Sequence, residues 1–212
     1  MLLPFSFQKE PYLILDFSAT NPDLATLDLT NTATFTDYVF GKLRAANVRV
    51  GVGGYNEHRV IYRRSEHFNT SEDSREIHLG IDFWAEAGTP VLTPLDGIVH
   101  SFRDNANFGD YGPTIILEHT IDGQPLYSLY GHLTRASLEG LYVGKEVQVD
   151  DKIGEIGPYP ENGDWPPHLH FQLMTDMLGY EGDFPGVCSI SDRDKFLSIC
   201  PNPNELLGIA GL

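Results

Sequence analysis

The residues of this chain best suited to chemistry are two histidines spaced two apart, in the run His168-Leu169-His170-Phe171-Gln172-Leu173-Met174. Polar and apolar side chains alternate there, which is the period of a half-buried strand. Leu169, Phe171 and Leu173 are predicted to face a core, with His168, His170 and Gln172 on the opposite side. Imidazoles at i and i+2 on one strand face sit roughly 6–7 Å apart at the backbone. Both can therefore reach one small site, as two ligands or as a ligand and an acid/base. Paired surface histidines are common, so the pair gains its weight from two other clusters, His78-Leu79-Gly80-Ile81-Asp82 and Tyr130-Gly131-His132-Leu133.

In the first cluster, a uniformly extended chain would put His78 and Asp82 on one face but about 13 Å apart, too far to share an ion. Gly80 permits a bend that closes that gap. Imidazole with carboxylate suits zinc, and a third ligand is then required. His132 falls on an alternating strand, on the face shared by Ser128 and Tyr130; an unaccompanied histidine in such a place is more often structural than catalytic. Tyr130 reads equally as a substrate contact or a packing residue. His119 ends the buried-looking strand 114–119 and reads as structural, and His100 as a strand surface residue. Asn56, His58 and His67 lie in the polar stretch 55–75, either as ordinary loop residues or as a plug reaching over a metal.

These side chains need a rigid scaffold. With 212 residues, 41% hydrophobic and 21% charged, the chain is long enough for one well-filled domain with an elaborated terminus. The glycine and proline content, 21 and 14 residues, favours many short strands. Strands are expected over 89–93, 97–103, 114–119, 126–133, 146–149, 152–156 and 168–174, with hairpin connections at 109–112 and 121–124. That pattern predicts a mainly β protein, an antiparallel sandwich or barrel. Phe35, Tyr38, Val39 and Leu43 follow helical spacing, so 36–46 is expected to be a helix capped at Asn31, Thr32 or Thr36. Residues 48–54 read as a short strand, and 1–30 show no clear period.

A formal charge of −16 argues against nucleic acid or an anionic membrane surface as the main partner. No apolar run approaches the ~20 residues of a membrane span. No secretory leader is visible, so the expected location is cytoplasmic, or periplasmic or secreted if a leader belongs to the chain upstream. Cys188 and Cys200 are then expected as free thiols. Oligomeric state is not legible.

The order HxGxD, YGHL, HLH across residues 77–174 resembles the lysostaphin-type (LytM-like) zinc metalloendopeptidases, which cleave peptide bonds in bacterial peptidoglycan. The resemblance implies a β core of the duplicated-hybrid-motif type over 77–175. Around it would lie a packed N-terminal extension, 1–76, with one helix and a long loop, and an irregular C-terminal extension, 176–212, with one short helix. It also implies one Zn2+ per chain held by His78, Asp82 and His170, with His132 and His168 as the catalytic residues beside it. The implied partner is a peptide or peptidoglycan-derived substrate.

Three protein ligands would leave a fourth tetrahedral position open, the mark of a catalytic zinc site. No HExxH glutamate is present, so the two remaining histidines would share the acid/base and oxyanion roles. The chain departs from the resemblance in its approach to the HxH motif, Asp164-Trp165-Pro166-Pro167, which is stiff and bulky, and in its strong negative charge. A non-catalytic scaffold that binds a partner is the main alternative, disfavoured because all five site residues are present. A biotinyl- or lipoyl-type carrier is a further one, but neither Lys145 nor Lys152 has a convincing hairpin-tip setting.

Overall fold

The computed structural model describes residues 1–64, 69–70 and 73–212. The chain opens with strand β1 (Leu13–Leu15), helix α1 (Thr32–Ala45), β2 (Gly51–Gly53), β3 (Asn69–Thr70) and β4 (Asp73–His78). The β-rich centre follows as β5 (Ile81–Trp84), β6 (Pro90–Leu92), β7 (Gly97–Asn105), β8 (Gly112–Ile121), β9 (Gln124–Gly131), β10 (Glu146–Val147), β11 (Lys152–Glu155) and β12 (His168–Met174). Strand β13 (Val187–Ser189) and helices α2 (Arg193–Ile199) and α3 (Asn204–Leu207) complete it.

Helix α1 starts four residues before the expected boundary because Asn31 is the working cap: its side chain accepts from Thr34 N at 3.1 Å. Of the predicted apolar positions Phe35, Val39 and Leu43 are buried, Tyr38 is only half-buried, and Phe40 joins the buried face. The connection at 121–124 is a two-residue hairpin in which Asp122 (φ 51°) and Gly123 (φ 77°) both take the left-handed conformation that matches strand twist. Strand β1 went unread because three residues are too few to display a period. The stretch 55–75, expected as one long loop, instead contains a 3-10 turn (Ile61–Arg64), β3 and the first half of β4. His67 lies outside the described residues. The C-terminal segment, expected to be irregular with one short helix, carries β13 and two helices.

The largest sheet has eight strands in the order β1-β2-β5-β12-β9-β8-β7-β10, with only the β1–β2 pair parallel. Antiparallel β architecture is as expected. The barrel, however, is not closed, since β1 and β10 end the sheet at opposite edges. Two smaller sheets, β11-β6 and β13-β4-β3, flank it.

Both faces of the main sheet are covered. Leu169, Phe171 and Leu173 join Ile81, Phe83, Ile115 and Leu117 in one apolar cluster, and Ile116, Leu129 and Met174 join Phe184, Cys188 and Cys200 in another. Strand β12 is therefore buried along its whole length and not half-buried as its alternation predicts. The alternation reports two environments, one apolar and one polar, and both are shielded from bulk water. Cys188 and Cys200 are both buried and are not joined in a disulfide. Among the described residues no helix is long and apolar enough to cross a membrane.

Candidate metal centre

The HxGxD motif spans a change of sheet. His78 ends β4, which pairs with β13, whereas Asp82 lies in β5, which pairs with β12. Gly80 sits at the bend between them. A Cβ there would stand 2.7 Å from the Phe171 carbonyl oxygen and 2.8 Å from the His170 ring, so no other residue fits without displacing that imidazole. Register then completes the cluster: His170 is directly opposite Asp82 on β5 and Gly131 on β9.

His78 Nε2, Asp82 Oδ1 and His170 Nδ1 converge, at 3.0, 3.2 and 3.1 Å from one another. The outer atoms of both rings fix where the protons are. His78 Nδ1 lies 2.8 Å from the Gly54 carbonyl, which can only accept, so Nδ1 carries the hydrogen and Nε2 a lone pair. Gln172 Nε2 donates to the Pro185 carbonyl at 3.1 Å, which turns its Oε1 toward His170 Nε2 at 2.9 Å. That places the His170 proton on Nε2 and leaves Nδ1 as a lone pair. Two imidazole lone pairs and a carboxylate oxygen aimed at one point repel each other unless a cation lies between them.

The spacing fits zinc. A tetrahedral ion with ligands at about 2.0 Å has ligand–ligand edges of about 3.3 Å. The donor set, two nitrogens and one oxygen, is also one zinc takes in catalytic sites. Burial and the Arg59 guanidinium push His78 down to about 4. Burial resists ionisation of Asp82, but His78, Arg59 and His170 outweigh it and hold its carboxyl well below the usual range. His78 and Asp82 thus stand in the protonation states that metal binding requires.

Beside this cluster the other two histidines pack face to face at a tilt, His132 against His168, with ring centroids 4.1 Å apart and planes inclined by 34°. Trp84 covers the far side of His168 at 4.1 Å and 16°. Each imidazole donates Nδ1–H to a carbonyl at 2.8 Å, His132 to Asn162 and His168 to Pro166, leaving its Nε2 lone pair for chemistry. Burial lowers both, His168 to about 4 and His132 well below its ordinary value. His132 is not on the strand face of Ser128 and Tyr130. β9 ends at Gly131, and His132 takes φ 62°, a conformation that costs a non-glycine residue about 1–3 kcal/mol and turns it out of the sheet. Tyr130 stays behind in the core, its hydroxyl 3.0 Å from Ser128 Oγ, so it is a packing residue. His119 is structural as expected, held by the Asp96 carbonyl and Ser128.

A cleft opens over four of the five residues, Asp82, His132, His168 and His170, which line it beside Tyr111 and Trp165, while His78 lies behind them outside its lining. Trp165, the bulky residue of the approach to the HxH motif, lies edge-on to both His132 and His168 and donates its indole N–H to the Asp110 carbonyl. Neither Asn56 nor His58 plugs the cleft. Asn56 accepts from Arg193 and His58 pairs with Glu76 at 2.5 Å.

Several participants escaped the sequence reading. Gln172 had a signal, since it follows His170 on the same strand face. Tyr111, Asn162 and the Gly54 carbonyl had none. Nor did Arg59, which is fully buried and bonds Asp82 Oδ2. Burying such a charge costs several kcal/mol unless it is paired, and here Asp82, Glu57 and Tyr62 surround it.

Residues 76–180 match the model of peptidase family M23. The chain is 30% identical over 130 residues to the DD-carboxypeptidase/endopeptidase Mpg of Neisseria meningitidis, covering 58% of this chain and 27% of that protein. It is 31% identical over 98 residues to the peptidoglycan DD-endopeptidase ShyA of Vibrio cholerae, covering 46% of this chain and 20% of that one. The chain thus spans about a quarter of the length of the curated relatives it matches. The catalytic domain of lysostaphin from Staphylococcus simulans aligns with a TM-score of 0.44 and 27% identity, over 63% of this chain and 80% of that one. The matched segment holds His78, Asp82, His132, His168 and His170, and through residues 76–180 the chain belongs to peptidase family M23, a family of metalloendopeptidases.

Proposed function

We propose that the protein is a zinc-dependent endopeptidase that hydrolyses peptide bonds in peptidoglycan-type or glycine-rich peptides. The observation that carries this reading is the convergence of three lone pairs, from His78, Asp82 and His170, at a cleft that Asp82 and His170 line together with the two neutral imidazoles of His132 and His168. Mpg and ShyA, by their names, act as DD-endopeptidases, and ShyA on peptidoglycan.

His78 Nε2, Asp82 Oδ1 and His170 Nδ1 would hold the ion. When bound, zinc supplies Lewis-acid chemistry, polarising a carbonyl and making water a nucleophile at neutral pH. The chain supplies the proton traffic. His132 and His168 present unprotonated Nε2 atoms, so either can take a proton from the attacking water, and the imidazolium formed can return it to the leaving amine. Their Nδ1–H bonds to backbone carbonyls keep both rings oriented through that cycle. Trp84 and Trp165, packed around His168, keep water from competing for its lone pair.

Charge bears on the substrate. At −16 the protein is repelled by anionic wall polymers, and salt screens that repulsion over about 8–10 Å. Short soluble muropeptides or glycine-rich peptides are therefore expected to be cut better than intact sacculi. The test is digestion of both substrates at low and moderate ionic strength, with and without a chelator, followed by mass spectrometry of the products. Chelator-sensitive cleavage of the peptide, with wall cleavage improving as salt rises, is the expected result. No cleavage of either substrate by the zinc-loaded protein would overturn the reading.

A further inference from the structure

Arg59 is a fully buried cation placed directly behind the candidate metal centre. Its Nη1 bonds Asp82 Oδ2, the oxygen facing away from His78 and His170, and also Tyr62 Oη at 3.2 Å. Its Nε donates to Glu57 Oε2 at 2.6 Å, while the other oxygen of Glu57 is held by the Phe17 amide at 3.0 Å. Its Nη2 lies 3.4 Å from the Gly54 carbonyl, the same oxygen that takes the His78 Nδ1 proton. The guanidinium needs the space beside Gly53, where a Cβ would stand 2.6 Å from Nη2. One side chain therefore touches the supports of two of the three ligands and is itself fixed at every nitrogen.

A free carboxylate can give a metal one oxygen or two. Two-oxygen binding raises the coordination number and suits larger, harder cations, whereas a tetrahedral zinc site takes one. We propose that Arg59 is a positioning residue that sets this choice: by occupying Asp82 Oδ2 it leaves only Oδ1 for the ion and keeps the remaining position open. The proposal rests on the metal site described above. Arg59 touches neither substrate nor ion, and its planar fork, rigid between Glu57 and Asp82, does what a flexible point charge does not.

The test uses cobalt(II) in place of zinc, because its visible absorption is intense in four-coordinate sites and weak in five- or six-coordinate ones. The full chain loaded with cobalt is expected to show the intense tetrahedral spectrum. In Arg59→Met the freed carboxylate chelates, and the absorption is expected to fall severalfold while cobalt stoichiometry stays near one. Zinc affinity, read by chelator competition, is expected to drop by about 10–100-fold, the usual effect of removing an outer-shell partner. Arg59→Lys keeps a positive charge between Glu57 and Asp82, and so should fold even if the Met variant does not. Its spectrum is expected to lose intensity as well. A merely structural role would lower the melting temperature and leave the spectrum of the folded, loaded protein unchanged. Spectra of the folded variants that superimpose on the wild type would overturn the role of Arg59 and leave the metal site standing. A wild-type protein that takes up no cobalt or zinc would overturn the site itself.

Discussion

His132 and His168 differ from His78 and His170 in what their free nitrogens face, and that difference separates two kinds of loss. Removing His132 or His168 would take away a proposed proton carrier but none of the three converging lone pairs. Replacing either by Ala is expected to lower turnover by on the order of 10²–10⁴ while zinc content stays near one per chain. Equal metal loss in His168→Ala and His170→Ala would show the two roles in the HLH motif to be reversed. Burial also makes the metal-free fold sensitive to acid. His78 and His168 titrate near 4 when folded, below the ordinary 6.5, so the unfolded chain binds more protons between those values. Their contribution to stability is complete above about 6.5 and lost as pH falls toward 4. Thermal melts of the chelator-treated protein are expected to drop progressively across that window; a melting temperature independent of pH there would contradict the neutral, buried state of both rings. The five candidate residues were legible through the order of three short motifs, HxGxD, YGHL and HLH, and the family resemblance that order carries, since His132 by itself reads as structural. Arg59 was not, because it is one of four arginines between 59 and 75 and only the fold shows which one is buried.

At the scale of elements, the site is made by a bend and a register. β4 and β5 belong to different sheets, and the two residues between them bring His78 and Asp82 together. Gly80 is where that junction is tightest, since His170 and the Phe171 carbonyl fill the space a side chain needs. Gly80→Ala is therefore expected to destabilise the fold by about 1–3 kcal/mol through overpacking. It should also reduce the zinc-dependent rise in melting temperature, because His170 must shift; an unchanged rise would mean the ligands do not depend on this contact. The period-2 strands and the 3.6-period helix could be read from sequence, and the hairpin at Asp122-Gly123 with them. So could β2, which falls within the expected strand 48–54, whereas β1 and β13 could not, since strands of three residues owe their existence to the partners they pair with. The positive φ of His132 was equally invisible, being imposed by the chain's exit from β9.

At the scale of the whole molecule, the segments on either side of the motif region are part of the site's construction. Phe35 of α1 packs on Trp84 and Trp165, the indoles that surround His168, and Phe17 packs on Trp84 and lies under Arg59. From the other end of the chain, Pro185 and Cys200 hold the Gln172 amide that orients His170. These contacts join residues from 13 to 130 positions apart, which no local pattern reveals. They explain why the polar face of β12 is buried, and why its histidines keep lone pairs that solvent would otherwise protonate or bond.

The proposed function depends on one ion being held by His78, Asp82 and His170. The most direct measurement is zinc content by elemental analysis, paired with melting temperature with and without added zinc, for the wild type and Asp82→Ala. One zinc per chain and a zinc-dependent rise in melting temperature are predicted for the wild type, and the loss of both in the variant. Full stoichiometric zinc retained by Asp82→Ala would contradict the ligand assignment on which the account stands.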